Sequence, residues 1–183
     1  TATEKSSIGA RLSSGASSLS IIQLRGANAG DPPIIRTQGV LTVASKRHSA
    51  SKLITKGDTI SARAGCSFDL PPLQGTSDLD GLDSNIDTSV VAWSLSPWSF
   101  EAGTVNSFVV GLTLTIPSNG NDEVKISNLQ DTSKIEILIA RTNRIDASKD
   151  SDLEDSCVYL DTTTTPKTWS TKGCQVNQFQ TNE

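Results

Sequence analysis

The chain has 183 residues and a formal net charge of -4, with an isoelectric point of about 5.0. That length suffices for one domain with a real core, and the acidic balance gives nucleic-acid binding no electrostatic support. Only 35% of residues are hydrophobic and 4% aromatic, Ser and Thr are abundant, and no apolar run approaches the roughly twenty residues that cross a bilayer. This composition suits a β-rich extracellular domain better than a helical one.

The first eighteen residues, TATEKSSIGARLSSGASS, are rich in Ser, Gly and Ala. They read as a linker or the edge of a preceding segment. They lack the apolar stretch of a signal peptide, so the chain reads as a mature or excised piece of something larger. The domain proper is expected over residues 19–183. LSIIQL (Leu19–Leu24) is the first apolar run and reads as a strand. GANAGDPP is a loop by its turn residues, and VLTVA (Val40–Ala44) a second strand. Residues Ser45–Lys56 carry Lys46, Arg47, His48, Lys52 and Lys56, a basic stretch expected on a solvated face or loop. In ISARAGCSFDLPP, Phe68 and Leu70 share one face of a strand, which Pro71 and Pro72 end because neither donates to a ladder.

SDLDGLDSNID (Ser77–Asp87) clusters Asp78, Asp80, Asp83 and Asp87. Counted from Asp78, the sixth and twelfth positions of an EF-hand loop fall on Asp83 and Ser89 rather than Gly and Glu, so that motif fails. The stretch reads as an acidic surface loop. Its four carboxylates are the only candidate calcium ligands, and no specific site is expected there. VVAWSLSPWSF starts as a strand with Val91, Trp93 and Leu95 on one side; Pro97 stops it, and Trp98 and Phe100 pack over its end. The cleanest strand is SFVVGLTLTI. Phe108, Val110, Leu112, Leu114 and Ile116 form its buried face, and Val109, Gly111, Thr113 and Thr115 the wetter one. PSNGND is a turn, EVKISNL the returning strand, and KIEILIA a further strand with Ile135, Ile137 and Ile139 on one face. Asp146–Asp155 is a charged loop.

The chain then reaches CVYLDTTTTPKTWSTKGC, Cys157–Cys174. Val158 and Tyr159 suit a short strand. The Thr run and Pro166 break it, and Trp169 buries its indole as the chain returns. Gly173 frees the backbone before Cys174. The expectation is a small hairpin tied by sulfur and plugged by Trp169. Many short strands joined by turns, with no sustained helical periodicity, predict an all-β, antiparallel β-sandwich with few or no helices.

Cys157, Val158, Tyr159, Asp161, Trp169, Gly173 and Cys174 resemble, in order and spacing, the first half of the GPCR proteolysis site. That motif closes a GAIN-type domain at its membrane-proximal end. Leu160 stands where the motif often has a Trp, and the Cys-x-Cys pair and His-Leu-Ser/Thr triplet of its second half are not in this sequence. Upstream, Gly65-Cys66-x-Phe68-x-Leu70-Pro71, the strand running into Pro97, and the progression from Thr113 to Ile139 are similar to the polycystin branch of these domains. The resemblance spans roughly residues 40–183. It implies the sandwich of GAIN subdomain B. It also implies that Cys157 and Cys174 pair with the two cysteines of the missing half. With three cysteines present, either these two bond to each other or their partners lie beyond Glu183; Cys66 is left over either way.

The family's reaction is a cis-autoproteolysis, and neither its nucleophile nor its base is in this sequence. No G-x-S-x-G, H-E-x-x-H or Gly-rich phosphate loop occurs. The single histidine, His48, lies beside Lys46 and Arg47, whose charge disfavours its protonation. Cys66 as a nucleophile lacks a placed base. The expectation is a non-enzymatic module without cofactor on the extracellular face of a plasma or ciliary membrane. Its partners would be the C-terminal proteolysis-site strand, the membrane-spanning remainder of the same protein, and an extracellular protein or glycan. The alternatives are the GAIN domain of an adhesion-type receptor, or a glycan-binding or self-assembling filament module.

Overall fold

The computed structural model describes residues 2–63, 65–95, 107–126, 129, 133–140, 157–161, 168–172 and 176. They fall into two compact units: one holds residues up to Ser99 together with Val105–Thr142, the other Phe100–Thr104 with Asn143–Glu183.

The larger unit is an antiparallel sandwich. Its strands are β1 (Ile34–Gln38), β2 (Leu41–Ser49), β3 (Asp58–Arg63), β4 (Cys66–Leu70), β5 (Asn85–Trp93), β6 (Val109–Ile116), β7 (Asp122–Glu123) and β8 (Glu136–Ile139). Two helices accompany them, α1 (Ala2–Gln23) and α2 (Ala50–Lys56). A five-stranded sheet runs β1-β2-β5-β6-β7, and a three-stranded sheet runs β3-β4-β8. Every pairing is antiparallel. The all-β sandwich read from the short, turn-punctuated strands is therefore the architecture.

The core lies between the sheets. Ala44, Ile86, Val90, Ala92, Leu114 and Ile116 come from the large sheet, and Ile60, Ala62, Cys66, Phe68 and Leu70 from the small one. Leu53 of α2, with Leu73 and Leu79 of the following loop, closes one end of the cluster. β6 has the expected register: Leu114 and Ile116 are buried, and Phe108, Val110 and Leu112 pack partly buried against the core. Phe68 and Leu70 share the buried face of β4 as their spacing requires.

Several expectations are overturned. Leu19–Leu24 is not a strand, because α1 runs through Gln23 and takes up most of the supposed linker as well. Its apolar residues do not gather on one stripe, which hides a helix from periodicity. Among the described side chains of α1, Ala16 and Ser20 are fully buried, as is Leu24 just past its end, while Leu19, Ile21 and Ile22 stay exposed. The basic stretch is not a loop: β2 continues to Ser49, and α2 follows at once. Lys52 and Lys56, on α2, do stand on a solvated face as expected, whereas His48 is buried and Lys46 and Arg47 partly so. Gly57 ends α2 at φ 68°, and a Cβ there would sit 2.0 Å from the carbonyl oxygen of Leu70, so only glycine fits. Among the described residues, the returning strand after the β6 turn pairs at Asp122–Glu123, against Ile116 and Thr115, and the Val124 amide donates to the Leu114 carbonyl at 2.9 Å. Ile137 and Ile139 lie opposite Phe68 and Cys66, so they share the core-side face, yet β8 is the sheet's edge and they remain half-exposed. On β5, Trp93 is buried but Leu95, beyond the strand's end, is exposed. Trp98, Phe100 and the 146–155 loop lie outside the described residues.

In the smaller unit, β9 (Tyr159–Asp161) and β10 (Thr168–Ser170) form an antiparallel pair. Trp169 stands opposite Leu160, Thr168 opposite Asp161 and Ser170 opposite Tyr159.

Candidate functional site

Period-2 alternation along β2 sorts its basic residues onto opposite faces. Ala44, Lys46 and His48 face the small sheet; Ser45 and Arg47 face α1. On the inner side Asp58, at the start of β3, receives Lys46: Nζ lies 2.6 Å from Oδ2. The same Oδ2 is 3.2 Å from His48 Nδ1, and Asp58 Oδ1 accepts the Thr59 amide at 2.8 Å. On its far side, His48 Nε2 meets the hydroxyl of Thr88 on β5 in a short contact. Thr88 Oγ1 also lies 3.1 Å from the Lys46 carbonyl oxygen.

The electrostatics follow from burial. His48 is only 3% exposed, and desolvation pushes its pKa down to about 4; Asp58 pulls it back up, while Lys46 and Lys52 push it further down. The imidazole is thus neutral at physiological pH. Neighbouring cations, which the sequence made the reason for disfavoured protonation, play a smaller part than burial, and Arg47, on the other face, is not among the causes. Burial also acts to raise Asp58, but the hydrogen bond and charge of Lys46, helped by His48 and the Thr59 amide, outweigh it and hold the carboxyl below its ordinary value. With Asp58 ionised, His48 donates from Nδ1. Nε2 is then an acceptor, and the Thr88 proton is shared between it and the Lys46 carbonyl.

An acid, an imidazole and a hydroxyl in series is the connectivity that activates a nucleophile. Here Thr88 has 0% exposure, so no substrate carbonyl reaches its oxygen. What the arrangement does is hold β2 and β5 of one sheet to β3 of the other through a fully partnered polar cluster. Nothing in the sequence marked Asp58 or Thr88. Extending the alternation of Val40–Ala44 by four residues would have placed Lys46 and His48 inside.

On the outer face Arg47 grips Asp87 of β5 through two bonds, Nε–Oδ1 at 2.7 Å and Nη2–Oδ2 at 2.8 Å, and donates from Nη1 to the Ala27 carbonyl at 3.1 Å. The bond to Asp87 raises the pKa of Arg47, and burial only partly offsets that. Asp87 is therefore no part of an acidic surface loop. It is buried on β5, while Asp78, Asp80 and Asp83 stay exposed. Asp78 Oδ2 accepts the Lys125 amide at 3.0 Å. Among the described residues no three acidic, His or Cys side chains converge in a way that could hold a metal ion.

Cys66 is a free thiol, 1% exposed, under a cleft of about 350 Å³ that Ile35, Ser61, Arg63, Ser67 and Leu138 also line. Arg63 stacks on Phe108, its guanidinium carbon 4.3 Å from the ring centre. Among the described residues no base lines that cleft. Cys157 is disulfide-bonded. Cys174, Gly173 and the Trp169 side chain lie outside the described residues, so the expected indole plug does too. Among the described residues no helix is long and apolar enough to cross a membrane. No protein family and no curated protein matches the chain.

Proposed function

We propose that the chain is a GAIN-like, membrane-proximal extracellular β-sandwich of a polycystin-type surface protein. It presents a distal ectodomain, holds a cleavage-site strand and relays binding or force to a membrane segment. It performs no chemistry on other molecules. The observation that carries the reading is the pairing of β9 with β10. It makes a hairpin of the stretch that resembles the proteolysis site, and it sets Trp169 across from Leu160, the position where that motif often has a Trp. A large sandwich ahead of the hairpin agrees with the order the resemblance requires. On this reading Cys157 bonds to Cys174 across the hairpin, which peptide mapping without reductant tests directly.

The decisive experiment uses the full-length protein in cells. Surface biotinylation and an immunoblot should show an exposed protein cut shortly after the hairpin, and Trp169→Ala should weaken cutting and lower the melting temperature. A full-length sequence without the His-Leu-Ser/Thr triplet, or an unlabelled intact protein, overturns the proposal. A lipase-like β-sandwich beyond the first membrane helix would select polycystin over adhesion-type receptor. One observation favours the filament alternative: β8 is an edge strand with Ile137, Leu138 and Ile139 all exposed, a surface suited to packing against copies of itself. Concentration-dependent sedimentation of the isolated chain would support that alternative.

A further inference from the structure

The seam between α1 and the large sheet is unlike the rest of the interior. Ser17, Ser20 and Ile21 of the helix face Ser89, Thr113 and Thr115 of the sheet across a partly enclosed space of about 30 Å³. Asp87 forms a further wall, with both its carboxylate oxygens already engaged by Arg47. Ser89 is 7% exposed, and its hydroxyl is buried without a protein partner among the described residues. Beside it, Ser45 Oγ lies 2.8 Å from Ser20 Oγ and 2.8 Å from Gln23 Oε1, and Ser45 is the residue directly opposite Ser89 in the β2–β5 ladder. Ser45 is thus committed towards the helix, and its hydroxyl is not available to Ser89.

We propose that this cavity is a binding site for one or two ordered water molecules, anchored by Ser89 Oγ and bridging α1 to β5 and β6. Size and chemistry agree. A water needs roughly 10–15 Å³ of such space and two to four polar partners, and apolar cavities stay dry whereas polar ones fill. The walls supply five hydroxyls within a space that admits no side chain. A buried hydroxyl without a partner carries a desolvation cost that a bridging water removes. The seam therefore holds its helix through solvent as well as through contact.

The test turns on a sign. In a hydrated cavity Ser89→Ala strips the water of a partner and lowers the melting temperature, by about 2–4 °C on the usual scale for a chain of this size. In a dry cavity the same change removes an unsatisfied hydroxyl and raises it. Oxygen-17 magnetic relaxation dispersion reads the water itself. Ser89→Val, which suits a strand and fills the space, should lower the dispersion amplitude by one or two long-lived waters relative to the natural protein. A higher melting temperature for Ser89→Ala, or equal dispersion amplitudes for Ser89→Val and the natural protein, overturns the proposal.

Discussion

The two faces of the large sheet are built from the same strands and solve opposite problems. The inner face, with Ala44, Val90, Leu114 and Ile116, is apolar and meets another sheet. The outer face presents Ser45, Arg47, Asp87, Ser89 and Thr113, and in part meets a helix whose buried residues, among the described side chains, are Ala16 and Ser20, with Leu24 just beyond its end. The first excludes water; the second pairs Arg47 with Asp87 and Ser45 with Ser20, and leaves the Ser89 hydroxyl without a protein partner among the described residues. One polar cluster departs from that division, the Lys46–Asp58–His48–Thr88 chain on the inner face. Burial alone does not dictate polarity. A face is sealed by hydrocarbon or by matched hydrogen bonds, and the two respond differently to substitution and to pH.

The largest effect should come from the outer face. Arg47→Leu leaves Asp87 buried without its bidentate partner, and removing one member of such a pair costs about 3–5 kcal/mol. Urea unfolding measures it; a loss below about 1 kcal/mol would mean that the outer face is held by helix packing instead. Leu114→Ala on the inner face, 2% exposed before the change, should cost about 3 kcal/mol through lost burial and the cavity left behind. Equal costs for Leu114→Ala and Thr113→Ala would erase the contrast between the faces.

The inner polar cluster should show itself in acid. His48 has its pKa lowered in the fold, to about 4 from 6.5, so the unfolded chain binds the extra proton first. Stability is full above pH 6.5 and falls as pH drops towards 4, by about 3 kcal/mol at about 1.4 kcal/mol per pH unit. Asp58, also lowered, adds a further loss in the same direction as pH drops from its ordinary carboxyl value through its folded one. Melting temperatures from pH 8 to 2 test this, and His48→Gln should flatten the profile between 6.5 and 4. An unflattened profile would assign the acid sensitivity to other groups. The smallest effect is at Gly111 on the outer face, where an added Cβ meets nothing within 4 Å and φ is not positive. Gly111→Ala should be neutral or gain about 0.5 kcal/mol; a clear loss would show that the outer face of β6 is more closely covered than this.

Legibility followed the physics of each segment. β6 announced itself because a strand with one buried face writes strict alternation into the sequence, and its register could be read residue by residue. β4 was legible through Phe68, Leu70 and the prolines that end it. α1 was not, because among its described side chains the buried ones, Ala16 and Ser20, are small and polar or weakly apolar, while Leu19, Ile21 and Ile22 form an exposed apolar run that imitates a strand. α2 is seven residues long, too short for helical periodicity to register, and is held by Leu53 in the core and by Gly57. The polar cluster escaped for a different reason: its members come from β2, β3 and β5, and no local pattern ties Asp58 to His48.

By itself, then, the order of residues determined the class of the protein, an antiparallel all-β sandwich, along with the buried set of its best strands and the hairpin-forming stretch near Cys157. These are properties of short windows, set by side-chain alternation and by where Pro and Gly interrupt it. Only the tertiary structure decided which charged residues would be inside. Lys46, His48, Arg47 and Asp87 carry no intrinsic preference for the interior; His48 and Asp87 are buried, and Lys46 and Arg47 partly so, because strand pairing brings each one a partner of opposite charge or a matching hydrogen bond. A partner is a long-range fact, created when β2 pairs with β5 and the two sheets close on each other.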